Sequence, residues 1–223
     1  MRRRGGNDRD MARRILVINP NSSQSCTAGI AESLRPFASP DRPPFEVVSL
    51  PGGPPAIATW RDWFSVAEPL ARMVEDEPAL AYVVACVSDP GIDLLRTVTE
   101  RPVIGPFRAA VASALVRADR FGVIAFVDAS KARQRKVLQA AGAEPRLAAS
   151  IALNLPMDTL TDPTAARVAL CDTARALVAA GSEAVILGCA GMAGHRAAVE
   201  DACGVPVIEP CQAAAAQAVL ALA

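Results

Sequence analysis

The chain has 223 residues, 52% of them apolar and 21% charged, which suits one or two compact lobes and argues against disorder. Its 23 basic residues balance 23 acidic ones, with no basic stripe beyond position 14, so a nucleic-acid partner is not expected. No apolar run reaches the roughly 18 residues needed to cross a bilayer, so no membrane partner is expected either.

The first fourteen residues, MRRRGGNDRDMARR, are rich in arginine. The apolar run after them covers only 15–18 before Asn19-Pro20-Asn21, too short for an export signal. Residues 1–13 therefore read as a disordered leader, with Met11 as an alternative start, and the protein as cytoplasmic. From there, short apolar runs alternate with Ala-rich stretches of helical spacing, the pattern of parallel strands covered by helices. Strands are predicted at 15–18, 45–50, 80–86 and 102–105, with helices at 25–34, 67–75, 92–99 and 107–118. Pro51-Gly52-Gly53-Pro54-Pro55 must be a loop. The alternation restarts with a strand at 121–127, a helix at 130–141 and an extended segment at 146–153. A helix follows at 163–180, with Asp162 as its cap and Pro163 at its first position. A strand at 184–188, a short helix at 195–202, a strand at 205–208 and a closing helix at 212–222 complete the chain. The lobes are drawn as 14–118 plus 211–223 and as 119–210.

Six cysteines, at 26, 86, 171, 189, 203 and 211, form no CxxC pair, and one histidine gives little support to a metal site. Four of them read as small buried hydrophobes. Cys86 and Cys189 differ, because they stand at matching places in a weak internal repeat. Tyr82-Val83-Val84-Ala85-Cys86 leads to Arg101-Pro102-Val103-Ile104-Gly105-Pro106. Val185-Ile186-Leu187-Gly188-Cys189 leads to Val205-Pro206-Val207-Ile208-Glu209-Pro210. Each half reads as strand, cysteine, turn, helix and a Pro-Val-Ile strand. The carboxyl ends of parallel strands form the ligand crevice. Unpaired N–H groups and the positive end of a helix there favour thiolate over thiol. Two sulfurs facing each other across an interlobe cleft would remove a proton from one face of a carbon and return one to the other.

These segments resemble the aspartate/glutamate racemase superfamily, and within it the hydantoin racemase branch. The resemblance is carried by Ile18-Asn19-Pro20-Asn21-Ser22-Ser23 with Thr27, by Ala85-Cys86-Val87-Ser88-Asp89-Pro90-Gly91, and by Leu187-Gly188-Cys189-Ala190-Gly191-Met192. It implies an α/β fold of two pseudo-symmetric lobes, each a parallel sheet flanked by helices, with the active site in the interlobe cleft. It also implies racemisation of 5-monosubstituted hydantoins or allantoin without a cofactor or metal. Cys86 and Cys189 become the acid/base pair, and Asn21, Ser22, Ser88, Asp89, Ala190 and Gly191 the substrate-binding set. The small-molecule substrate is the expected partner, and a homo-oligomer the expected assembly. Alternatives within the superfamily are amino-acid racemisation, arylmalonate decarboxylation and maleate isomerisation; outside it, a non-catalytic small-molecule-binding protein.

Two departures from the branch fall near the expected cleft. Arg108 stands where the branch usually has a glutamate, and Ala125-Phe126 where it usually has hydroxyl residues. Arg108 is read either as a solvated helix residue or as a partner for an anionic substrate group. Trp60 and Trp63 read as a lid or as lobe surface, His195 as a surface or cap residue, and the basic run 131–136 as a solvated helix face.

Overall fold

The computed structural model describes residues 13–162 and 164–223, so the leader lies outside the described residues except for the exposed Arg13. β1 (Ile15–Asn19), β2 (Phe45–Ser49), β3 (Ala81–Val84) and β4 (Val103–Ile104) form a parallel sheet in the order β2-β1-β3-β4. β5 (Phe121–Ala125), β6 (Leu147–Ala152), β7 (Ala184–Gly188) and β8 (Val207–Ile208) form a second, in the equivalent order β6-β5-β7-β8. The expected pair of parallel sheets is present. The helices are α1 (Gln24–Leu34), α2 (Trp60–Ser65), α3 (Ala67–Asp76), α4 (Ile92–Val98), α5 (Pro106–Leu115), α6 (Asp128–Ala140), α7 (Met157–Thr161), α8 (Arg167–Ala179), α9 (Arg196–Cys203) and α10 (Pro210–Leu220).

The central strands are buried along their whole length, because helices cover both faces of each sheet. Alternation along a strand then sorts side chains between cores rather than between core and water. Ile15 and Val17 of β1, Val83 of β3, Val123 of β5 and Ile186 of β7 enter one common core. Leu16, Ile18, Tyr82 and Val84 face a second core built with α3 and α4. Ile124, Val185 and Leu187 face a third, built with α8 and α9. The common core is filled by α1, α5, α6 and α10. α5 packs on β7 and β8 of the second sheet, whereas α10 packs on α1, on β3 and β4 of the first and also on β7. α5 and α10 also pack on each other through buried alanines, including Ala110, Ala114, Ala214 and Ala218.

Several element boundaries differ from expectation for local reasons. β4 and β8 begin after Pro102 and Pro206, which accept ladder bonds from Tyr82 and Val185 but have no N–H to give. The strand expected at 80–86 ends at Val84, leaving Cys86 two residues beyond it. α2 is a helix where only two tryptophans had been noted; Thr59 and Asp62 form a reciprocal capping box that starts it. α8 begins at Arg167, yet Asp162 still accepts from the N–H groups of Thr164 (2.8 Å) and Ala165 (2.9 Å) in the turn before it. Pro163 lies outside the described residues. Among the described residues no helix is long and apolar enough to cross a membrane.

Alanine lets α5 and α10 approach closely, so added volume has nowhere to go. Ala214→Leu is expected to lower unfolding stability by about 1–3 kcal/mol through overpacking. Leucine at the exposed Ala112 of the same layer should stay within about 0.5 kcal/mol of wild type, read from urea unfolding midpoints.

Candidate active site

The loop after β1 organises itself before anything binds. Asn19 Nδ2 donates to Asn21 Oδ1 (3.0 Å) and to Thr27 Oγ1 (3.0 Å), and Ser23 N–H donates to Asn21 Oδ1 (2.9 Å). Ser23 then caps α1 by accepting from Cys26 N–H (3.2 Å). Asn21 is thereby held with its Nδ2 3.9 Å from the Cys26 sulfur. The Pro-Gly loop folds onto this one: Ser22 N–H donates to Pro54 O (2.9 Å), and a Cβ on Gly53 would meet Pro20 O at 2.5 Å.

A cavity lies where the carboxyl ends of β1, β3, β5 and β7 converge. Cys86 and Cys189 both line it, with Asn21, Ser88, Ala190 and a third thiol, Cys26. Ile57, Phe126, Ser130 and Met157 close it. The free space is about 30 Å³, room for a water molecule or two and no more.

Burial decides the ionisation of these thiols. It pushes Cys86 up, against the Ser88 hydroxyl 3.5 Å away, the Arg133 guanidinium and the Ser88 N–H, all of which favour thiolate. It pushes Cys189 up further, because only the Gly191 N–H opposes it and the other thiols add repulsion. Cys26 is pushed up to about 11 by burial, partly offset by the Asn21 amide. The sequence expectation of ready thiolates at strand ends is therefore corrected: in this closed state burial outweighs the amides.

The basic run 131–136 is solvated at Lys131, Arg135 and Lys136, as expected, but not at Arg133. Ser130, Arg133, Gln134, Val137 and Leu138 form a buried stripe at helical spacing on α6, and Arg133 is only 1% exposed. Its guanidinium donates to Ile57 O (3.1 Å), Ala58 O (3.1 Å) and Ser130 Oγ (3.0 Å), fastening the segment that closes the cavity. Among the described residues no carboxylate lies within 4 Å of it to form an ion pair.

A family model described as Asp/Glu/Hydantoin racemase matches residues 15–218. The chain belongs to this family. The hydantoin racemase of Paenarthrobacter aurescens is 34% identical over 90% of this chain and 87% of its own length. That of Rhizobium meliloti is 36% identical over 90% and 85%. Among solved structures, the allantoin racemase from Klebsiella pneumoniae matches with a TM-score of 0.85 at 30% identity, over 94% of this chain and 88% of that one. These likenesses put the chain in the hydantoin racemase branch of a family of isomerases.

The other residues named from the sequence fall elsewhere. Ser22 is exposed and holds the Pro-Gly loop. Gly191 has its N–H engaged by the Cys189 sulfur. Asp89 turns away from the cavity and accepts from the N–H groups of Phe107 (2.9 Å) and Arg108 (3.1 Å) at the start of α5. Arg108 does not line the cavity; its guanidinium lies between the buried Asp89 (3.6 Å from Oδ2) and the exposed Asp93 (3.6 Å from Oδ1). His195 is buried rather than at the surface and stands at the cap position of α9, with Nε2 3.1 Å from Leu160 O. Trp63 Nε1 donates to Ser88 O (3.0 Å), bracing the segment beside Cys86 from outside. Phe126, noted as a departure, does reach the cavity. Arg133 and Gln134 were missed, although the spacing 130, 133, 134, 137, 138 was there to read.

Two expectations follow. Arg133→Met should move the pH midpoint of Cys86 alkylation upward, and each unit of that shift should slow neutral-pH alkylation about tenfold. Burial pushes Asp89 up to about 6 from 3.8, so the folded chain holds its proton more tightly than the unfolded chain. Its contribution is full below about pH 4 and is lost as pH rises through about 6. Wild type should thus lose on the order of 2–3 kcal/mol across that window relative to Asp89→Asn, read from paired unfolding curves.

Proposed function

We infer that this protein racemises hydantoin-like substrates, 5-monosubstituted hydantoins or allantoin, by two-cysteine proton transfer. The observation that carries the reading is that the two strand-end cysteines of the repeated halves line one small cavity. The hydrogen at C5 of a hydantoin stands beside a carbonyl. Cys86, as thiolate, takes that proton, and the C–H electron pair moves onto the carbonyl oxygen as an enolate. The Cys189 S–H gives its proton to the opposite face of C5, the enolate collapses, and the centre is inverted. Cys86 is left as thiol and Cys189 as thiolate, and proton exchange with solvent or the reverse reaction resets the pair. Asn21, Ser88 and Ser130 are the polar side chains that line the cavity and can face the developing oxyanion. Ser22, Asp89 and Arg108 have no part in this reading.

Assigning the first base to Cys86 follows from its surroundings. Arg133 and Ser88 favour its thiolate, whereas Cys189 has fewer such partners. A substrate with a ring and two carbonyls does not enter about 30 Å³, so a wall must move. Ile57 rides on the segment fastened by Arg133 and by the Ser22–Pro54 bond, and that segment is the part we assign to opening.

In deuterated water, one enantiomer of a 5-substituted hydantoin should give inverted product labelled at C5. Cys86→Ser and Cys189→Ser should each cut inversion at least about 10²-fold; full inversion by either variant would overturn the reading. With Cys86 raised by burial and Cys189 raised further, kcat/KM should climb about tenfold per pH unit through neutrality. A plateau already reached below pH 7 would contradict this assignment of base and acid.

A further inference from the structure

Gln134 lies on α6 outside the cavity and is 2% exposed. Its single amide nitrogen donates to Val87 O (2.8 Å) and to Gly188 O (3.2 Å). Val87 follows Cys86 and Gly188 precedes Cys189, so one NH₂ group spends its two protons on the two cysteine-bearing segments. Those segments leave different sheets, β3 and β7. Position 188 is fitted to this approach: a Cβ there would stand 3.0 Å from Gln134 Nε2 and 2.4 Å from Ile124 O.

We propose that Gln134 is a positioning residue that fixes the separation of the Cys86 and Cys189 sulfurs. Two carbonyl oxygens that share one donor are drawn towards a common point, and without that donor their dipoles repel. A buried carbonyl left without its donor is unfavourable. The inference rests on the two-cysteine reading, because only a reaction using both sulfurs on one carbon depends on their spacing. A displacement of about 1 Å at such a pair costs on the order of 10² in rate. Gln134 donates to none of the polar side chains of the cavity, Asn21, Ser88 or Ser130; it reaches the cavity wall through the Val87 and Gly188 carbonyls.

The test compares wild type with Gln134→Met, which keeps length and apolar volume but removes the donor. Gln134→Asn, which withdraws the amide by one methylene, is the second variant should the first fold poorly. For inversion of a 5-substituted hydantoin, kcat should fall about 10- to 100-fold while KM stays within about threefold. Independently of activity, a fluorogenic bis-alkylating bimane should bridge Cys86 to Cys189 in wild type. In the variants it should give single-thiol adducts, identified by peptide mass. Unchanged kcat with unchanged bridging would overturn the proposal, as would a loss of kcat matched by rising KM and falling melting temperature. If wild type inverts no hydantoin but bridging still depends on Gln134, the catalytic reading fails and the positioning role stands.

Discussion

Because β1, β3, β5 and β7 each turn one set of side chains into a common core, the two sheets cannot separate without exposing Phe107, Phe121 and the alanine contacts of α5 and α10. That shared layer brings the carboxyl ends of strands from both sheets to one place. A cysteine at a strand end is ordinary; two of them on one cavity require the sheets to share a core. The scarcity of aromatics, 4% of the chain, fits the same constraint, since helices wedged between two sheets need small side chains. Architecture and site are one packing problem.

The same packing sets the electrostatics. A helix end contributes about 0.3–1 kcal/mol, and up to about 2 kcal/mol when partly buried. Full burial shifts an ionisable group by as much as about 3–5 pKa units. For both cysteines burial outweighs the helix end and favours the thiol, although Cys86 keeps some exposure. What burial takes from thiolate formation it gives back to hydrogen bonds on an enolate oxygen, which strengthen when a bound substrate excludes water. Arg133 sits at the balance point, favouring the Cys86 thiolate while holding the segment that keeps water out.

Hydropathy alternation revealed the strands well, because buried parallel strands are short apolar runs whatever their neighbours. The repeat around Cys86 and Cys189 was legible for a similar reason: both halves must end a strand, turn and restart a helix at a proline. What was not legible depended on direction in space. Arg133 and Gln134 read as solvated because their charge and polarity outweighed their spacing, and only the fold shows that this face of α6 meets the cysteine segments. Asp89 read as a substrate contact through the resemblance and Arg108 as either a solvated residue or a partner for an anionic group; neither lines the cavity, because Asp89 caps α5 and Arg108 lies beside it. Cys26 read as core, which it is, yet the curvature of the loop before α1 also brings its sulfur to the cavity wall.

The repeat is preserved where physics requires it and broken where physics is indifferent. α5 and α10 both begin with a buried first turn, whose N–H groups must find acceptors. In the second half Glu209 supplies them from the cap position itself, accepting from Cys211 (3.1 Å) and Gln212 (2.7 Å). The matching position in the first half is Gly105, which has no side chain, and the carboxylate arrives instead from Asp89. A Cβ on Gly105 would stand 2.4 Å from that carboxylate, so glycine there and aspartate at 89 are two parts of one solution. Asp89 holds a backbone turn with φ of 51°, a left-handed conformation that aspartate tolerates better than most residues. One consequence reaches the site. The cap in the first half ties α5 directly to the turn that follows Cys86, whereas the cap in the second half acts within its own helix. The Cys86 segment is thus held by Asp89, by Trp63 and by Gln134, and the Cys189 segment takes its place through the 3₁₀ turn at Ala190–His195 and the same Gln134 amide. Two halves that look alike in sequence therefore anchor their cysteines unequally, and the shared glutamine refers the position of one to the other.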